Sequence, residues 1–286
     1  EISLGLVGSE MCIRDSSKYL NYAQWIADQG GSTRHDIFDE ARSGRPPKEI
    51  GNGKAYEMMS CFEGLAELYR ITGNADYYDS LMALYGNIRN QEIMIHGLGG
   101  LKDDYGEYWY DGALNQTRTD KGRKGETCVT VTWFKLCSHV LRLAGDSKVA
   151  DQMEITMYNA LIGAMRPSGE WWTHQNPTLV TGDIYNYKKD AHLQFTDFNQ
   201  NCCLANGPMA LAMIPQYAVM KAASGPVVNF YAQGTAMVDV GGNPTTLDIS
   251  GDYPKTGSIS IVVTPPAAFD FTISLRIPEW LSLIHI

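Results

Sequence analysis

Two short cysteine-bearing motifs are the parts of this sequence best suited to chemistry. Glu126-Thr127-Cys128 follows a long polar loop and opens a helical pattern; Cys202-Cys203 occupies the same kind of place after a second long loop. Zinc takes thiolate and carboxylate donors together in tetrahedral sets of four, and sulfur ligands favour it over magnesium or calcium. Residues at i and i+2 do not share a face within a helix. At a helix N-terminus, however, the preceding turn can aim both inward, so two such pairs can converge on one ion. The spacing alone leaves another reading open. There is no Cys-x-x-Cys, and a buried cysteine commonly serves as a small hydrophobe. Cys61 and Cys137 lie on apolar helical faces and are read that way.

The two ends carry a different signal. Residues 10–16 and 281–286 back-translate to one DNA element in opposite orientations, the pattern of a sequencing adaptor read through into protein. Residues 1–16 and 281–286 are therefore expected to be adaptor translation, which does not belong in fold reasoning. This sets Cys12 and His285 aside, and leaves five of the six cysteines. An odd number with an adjacent pair makes a poor disulfide framework. On this reading residues 17–280 are an internal piece of a longer product. The compartment stays open, a bacterial periplasm or cytoplasm being the two settings considered.

With 44% hydrophobic and 19% charged residues, the composition is that of an ordinary globular protein. A net charge of −9 without a basic cluster argues against a nucleic-acid partner. No membrane segment is seen. The 16 tyrosines and 6 tryptophans often stand among polar residues, as in Tyr105-Gly106-Glu107-Tyr108-Trp109-Tyr110 and Trp171-Trp172-Thr173-His174. Aromatic faces beside carboxylates suit sugars, covering C–H patches while polar groups bond the hydroxyls.

The elements that must position these residues fall into two regimes. Apolar residues at a period near 3.6 predict helices over 17–28, 56–73, 75–94, 127–144, 148–165 and 206–222. Pro208 is placed near the first turn of the last helix and Pro215 at a kink. The loops over 97–125 and 167–201 exceed what a minimal bundle needs, and long loops on a rigid scaffold commonly carry function. Helix pairs with long loops at one end suit an α/α-barrel, and a plain bundle or helical repeat gives a similar pattern. From about Pro226 the pattern turns to strands, over 227–231, 236–240, 258–263 and 269–275, punctuated by Gly-Gly-Asn-Pro and Tyr-Pro-Lys-Thr-Gly turns. The chain is thus read as mainly α: a partial α/α-barrel catalytic domain over 17–225, then the start of a β-sandwich over 226–280.

Gly125-Glu126-Thr127-Cys128, Asn201-Cys202-Cys203-Leu204-Ala205-Asn206-Gly207-Pro208, Met157-Tyr158-Asn159-Ala160-Leu161 and the stretch from Gly64 to Gly73 occur in an order that resembles glycoside hydrolase family 127, the β-L-arabinofuranosidase-like family. The resemblance covers about residues 54–222. It implies an (α/α)6-barrel followed by β-sandwich domains, with Zn2+ on Glu126, Cys128, Cys202 and Cys203. It also implies that Cys202 is both ligand and nucleophile in a retaining hydrolysis of a plant-type oligosaccharide or glycoside. Metal ligation keeps a sulfur deprotonated at neutral pH, and the thiolate is the reactive form. A general acid/base is still required. Glu107 is its best candidate, with Asp104 and Asp111 as rivals.

Glu154 matches a family glutamate near the sugar. His174 falls where the family more often has a substrate-contacting tyrosine, and Lys54 near where a sugar-binding histidine is expected. Both departures bear on the identity of the sugar. An alternative is a carbohydrate-binding relative that keeps the zinc site but lacks turnover. A zinc hydrolase using metal-bound water is disfavoured, because four protein ligands leave no open position. The sequence is silent on oligomeric state.

Overall fold

The computed structural model describes residues 17–100, 107–109, 124–177 and 202–281. Residues 1–16 and 282–286, most of the expected adaptor translation, lie outside the described residues, as do Asp104 and Asp111.

Seven α-helices precede the two three-stranded sheets among the described residues: α1 (Ser17–Asp28), α2 (Ile37–Arg42), α3 (Ala55–Thr72), α4 (Ala75–Gln91), α5 (Thr127–Ala144), α6 (Ser147–Thr156) and α7 (Cys203–Ala218). Local chemistry sets their ends. Gly73 and Gly145 stop α3 and α5 in the left-handed conformation, at φ of 70° and 64°, where glycine avoids a Cβ penalty. Asn74 and Asp146 cap α4 and α6 by accepting from the backbone N–H two residues on, at 3.1 Å and 2.9 Å. Helix α6 runs on through a π-turn, Met157–Leu161.

Helix α5 is the hub. Its Val129, Val131, Trp133, Phe134, Leu136, Cys137 and Val140 are fully buried, and it packs against α3, α6 and α7. A helix with so wide an apolar face belongs in a core, and its polar edge of Lys135, His139 and Arg142 pairs with Glu63 and Glu67 of α3. Trp133 stacks on Tyr85 of α4 with ring centroids 5.4 Å apart. A small antiparallel ribbon joins the two loop–helix junctions: β1 (Lys124–Glu126) pairs with β2 (Gln175–Pro177), placing Glu126 opposite Gln175.

Two three-stranded sheets follow. One holds β3 (Val219–Ala222), β4 (Gly225–Val228) and β8 (Ser274–Leu275) in that order; the other holds β5 (Gly234–Val240), β6 (Asn243–Gly251) and β7 (Ile259–Thr264). Val228, Val238, Val240, Leu247 and Ile249 form a core shared by both sheets.

The order of helices followed by strands agrees with the sequence reading; several boundaries do not. The last helix starts at Cys203 and ends at Ala218, so Pro208 sits inside it and the strands begin at Val219. The short α2 and the central strand β6 were missed. In β6, buried Thr245, Leu247 and Ile249 alternate with outward Thr246, Asp248 and Ser250, a half-polar pattern that resembles loop. The expected strand over 269–275 shrinks to Ser274–Leu275.

One buried residue joins the sheets to the helices. Arg276, 4% exposed, sends its guanidinium between Asp151 and Glu154 of α6, with Glu154 at 2.7 Å. Its Nε donates to the Asn229 carbonyl. The Tyr253 hydroxyl donates to Glu154 at 2.8 Å, and the Glu279 N–H to Asp151 at 2.9 Å. Removing one partner of a buried pair leaves an uncompensated charge. Arg276→Met is expected to destabilise the protein by about 3–5 kcal/mol, measured by urea denaturation; a change below about 1 kcal/mol would show that water reaches the joint.

Candidate active site

Glu126 ends β1 and stands at the N-cap of α5, with Cys128 in that helix's first turn. Cys202 is the N-cap of α7 and Cys203 its first residue. Helices α5 and α7 pack together, so their N-terminal turns bring the two motifs to one place. The Cys128 sulfur lies 3.1 Å from that of Cys202 and 3.2 Å from that of Cys203; the Cys202 sulfur lies 3.5 Å from Glu126 Oε1. Helix N-termini carry partial positive charge and favour anions.

The walls of the site are fixed closely. Thr127 N–H donates to the His174 carbonyl at 3.0 Å, and the Thr127 hydroxyl donates to the Thr173 carbonyl at 2.7 Å. Asn176 Nδ2 donates to Thr127 Oγ1 at 2.9 Å. From α7, Asn206 Nδ2 donates to the Cys128 sulfur at 3.1 Å. Gly125 and Gly207 are required by close approach: a Cβ would come within 2.4 Å of Leu98 at the first and 2.2 Å of the Trp172 ring at the second.

The electrostatics of the donor set are collective. Hydrogen bonds from Cys128, Cys203 and His174 hold the Cys202 thiol far below the ordinary thiol range. Cys128 is pushed up chiefly by its hydrogen bond to Cys202, and Cys203 chiefly by its bond to Cys128. Burial raises Glu126 to about 7, helped by the charge on Cys202 and opposed by the hydrogen bond from His174. His174 rises to about 10 through its contacts with Cys202 and then Glu126. Cys202 is the exposed member of a set in which Glu126, Cys128 and Cys203 are buried.

Glu126, Cys128, Cys202 and Cys203 offer four ligand atoms within 4.8 Å of one another and can hold a metal ion. The donor types fit: three sulfurs at contact distance, unlinked by disulfides, plus one carboxylate oxygen match a closed soft-metal site.

Two further expected residues stand beside this set. His174 Nε2 lies 3.5 Å from Glu126 Oε1 and 4.0 Å from Glu107 Oε1. Glu107 is half-buried beside the start of α3, and its Oε2 meets Lys54 Nζ at 3.2 Å. Glu154 is not among the converging groups; it is buried, and its carboxylate is engaged by Arg276 and Tyr253 at the joint with the sheets. Cys137 is buried in the main core, against which half-buried Cys61 packs. Asn206, Thr127 and Asn176 were not anticipated as supports of the site. A signal existed for Asn206, which follows the cysteine pair at i+3 and i+4 on one helix, the spacing that shares a face.

A mainly helical unit with a cysteine–glutamate centre at one end, continued by β-sheets, has the build of a glycoside-hydrolase catalytic module. The chain belongs to glycoside hydrolase family 127. The family model for the "Beta-L-arabinofuranosidase, GH127 catalytic domain" matches residues 13–216, and that for the GH127 middle domain matches 226–286. Among solved structures, a GH127 β-L-arabinofuranosidase from Geobacillus stearothermophilus T6 is similar at 23% identity over 98% of this chain, with a TM-score of 0.76. A GH127 β-arabinofuranosidase is similar at 26% identity over 97% of this chain, TM-score 0.77, and a glycoside hydrolase at 20% over 93%, TM-score 0.75. The chain spans 47%, 42% and 47% of their respective lengths. Comparison with the curated proteins finds no match.

The packing of Gly207 on Trp172 gives a test of how rigidly the centre is held. Trp172 is buried with Cys128 and Cys203 in one apolar cluster. Gly207→Ala is expected to displace its indole and cost about 1–3 kcal/mol, the usual effect of overpacking, read as a lower melting temperature.

Proposed function

We propose that this protein is a retaining glycoside hydrolase acting on β-L-arabinofuranosides or similar plant-type furanosides, with Cys202 as nucleophile and Glu107 as acid/base. Zinc is proposed on Glu126, Cys128, Cys202 and Cys203. The observation that carries the reading is the asymmetry of the cluster: Cys128 and Cys203 are buried while Cys202 is exposed, so one sulfur of the three is presented to a ligand. When bound, zinc would keep the sulfurs deprotonated and hold them in place.

The chain's own groups supply the rest. The Cys202 sulfur attacks the anomeric carbon as the bond to the leaving oxygen breaks, and Glu107 gives its proton to that oxygen. The resulting thioglycosyl–Cys202 link is then opened by water. Glu107, now a carboxylate, takes a proton from that water as its oxygen bonds to the anomeric carbon and the sulfur departs as thiolate. Two inversions at one carbon give net retention, as in the two-carboxylate design, with sulfur in place of one carboxylate. His174, beside both Glu126 and Glu107, is proposed to bond a sugar hydroxyl.

The test is turnover on a panel of aryl arabinofuranosides together with metal analysis. Cys202→Ala is expected to lose roughly 10³-fold or more, as when a covalent nucleophile is removed; near-wild-type turnover would rule out the thiolate mechanism. Glu107→Ala is expected to lose roughly 10²–10⁴-fold. The wild-type protein should hold about one zinc per chain, and Cys128→Ser or Glu126→Ala should lower that stoichiometry. Saccharide binding without turnover by the wild type would favour a carbohydrate-binding relative instead.

A further inference from the structure

Glu107 has two unlike oxygens. Its segment is laced to the start of α3 by two backbone hydrogen bonds: Ala55 N–H donates to the Glu107 carbonyl at 2.8 Å, and Trp109 N–H to the Gly53 carbonyl at 3.0 Å. Trp109 is fully buried. Gly53 accepts this geometry at φ 74°, where a Cβ would press within 2.7 Å of the Lys48 carbonyl oxygen. Opposite Tyr108 stands Lys54, bridged to it across the ladder.

The Lys54 ammonium sits among three groups: Glu107 Oε2 at 3.2 Å, Glu57 Oε1 at 2.9 Å, and the Tyr108 ring, whose centroid is 6.0 Å away. Its contacts with Glu57 and then Glu107 hold it charged well above the ordinary lysine range. The other oxygen, Glu107 Oε1, faces His174 at 4.0 Å. That is too long for a hydrogen bond, and His174 Nε2 lies nearer to Glu126 Oε1, at 3.5 Å.

We propose that Lys54 is a positioning residue for the acid/base step: by occupying Glu107 Oε2 it directs the transferable proton to Oε1, the oxygen that faces the cysteine centre. Lysine has three donors and no acceptor. An oxygen that receives its N–H cannot present an O–H along the same line. When Glu107 is protonated, the proton therefore resides on the opposite oxygen, and the same bond fixes the rotamer that aims it. Glu57 holds the ammonium from the other side, which explains why an exposed glutamate at i+3 belongs to the arrangement. The step itself is the one already written: Glu107 Oε1–H breaks, the leaving-group O–H forms, and the carboxylate so produced later accepts a proton from water.

This inference rests on Glu107 acting as acid/base, and leaving-group dependence tests it. Kinetics are measured on a methyl arabinofuranoside, whose departure needs a proton, and on a 2,4-dinitrophenyl arabinofuranoside, whose departure does not. For Lys54→Met, kcat/KM on the methyl glycoside is expected to fall about 30-fold or more, within the range for general acid catalysis. On the dinitrophenyl glycoside kcat and KM should fall together, leaving kcat/KM within about threefold, because proton donation no longer limits the first step. Lys54→Arg, which also only donates, should recover most of the loss on the methyl substrate. Equal losses of kcat/KM on both substrates, or a rise in KM alone, would overturn the role of Lys54 while leaving Glu107 in place. If Glu107→Ala itself shows no dependence on the leaving group, or the wild type turns over neither substrate, the acid/base assignment falls and this inference with it.

Discussion

Three sulfurs and a carboxylate held at contact distance in a place largely closed to water set the terms for the rest of the helical unit. Like-charged donors brought together and buried repel one another and lose hydration, so the arrangement is unfavourable unless something compensates. Compensation comes from several sources. The cluster sits at two helix N-termini, Asn206 donates to Cys128, and His174 stands against Glu126. Cys202 is the exposed sulfur of the three.

A convergence of this kind is only as well defined as the elements that carry it. Helix α5 is held on several sides: it packs against α3, α6 and α7, its polar edge of Lys135, His139 and Arg142 pairs with Glu63 and Glu67 of α3, and Thr127 ties its first turn to residues 173–176. The β1–β2 ribbon then places Glu126 within a fraction of a turn of Cys128, and the Gly207–Trp172 contact sets the depth of α7. The ladder between residues 53–55 and 107–109 does the same for Glu107, which otherwise would hang from a long loop. Rigid elements thus hold both sides of the proposed reaction centre, although each motif was reached through a long connection.

Much of this was legible in the sequence where one local signal sufficed. Helix α5 runs over the residues its apolar pattern indicates and stops at the glycine that marks its end. The convergence of Glu126, Cys128, Cys202 and Cys203 was readable because each pair stands at a loop–helix junction, though family resemblance rather than spacing gave them a common purpose. Signals that depend on a distant partner were not readable. Glu154 was read as a family glutamate near the sugar, and nothing local indicated that it is buried against Arg276; its neighbour Asp151 meets the same arginine across 125 residues of sequence. The end of α7 was overrun because Val219-Met220-Lys221-Ala222 suits helix or strand alike, and only pairing with β4 decides it. Strand β6 was lost for the opposite reason: its polar alternate residues matter only once its neighbours cover the other face.

The arginine at the joint also bears on how such a molecule can change over time. A guanidinium clasped by two buried carboxylates ties the helical part to the sheets by charge as well as by shape. Grafting on a different β unit that lacks an arginine at that register would strand Asp151 and Glu154 without a counter-ion, whatever its surface fit. The two parts are therefore poor candidates for independent shuffling, and for inheritance as for engineering they behave as one heritable block.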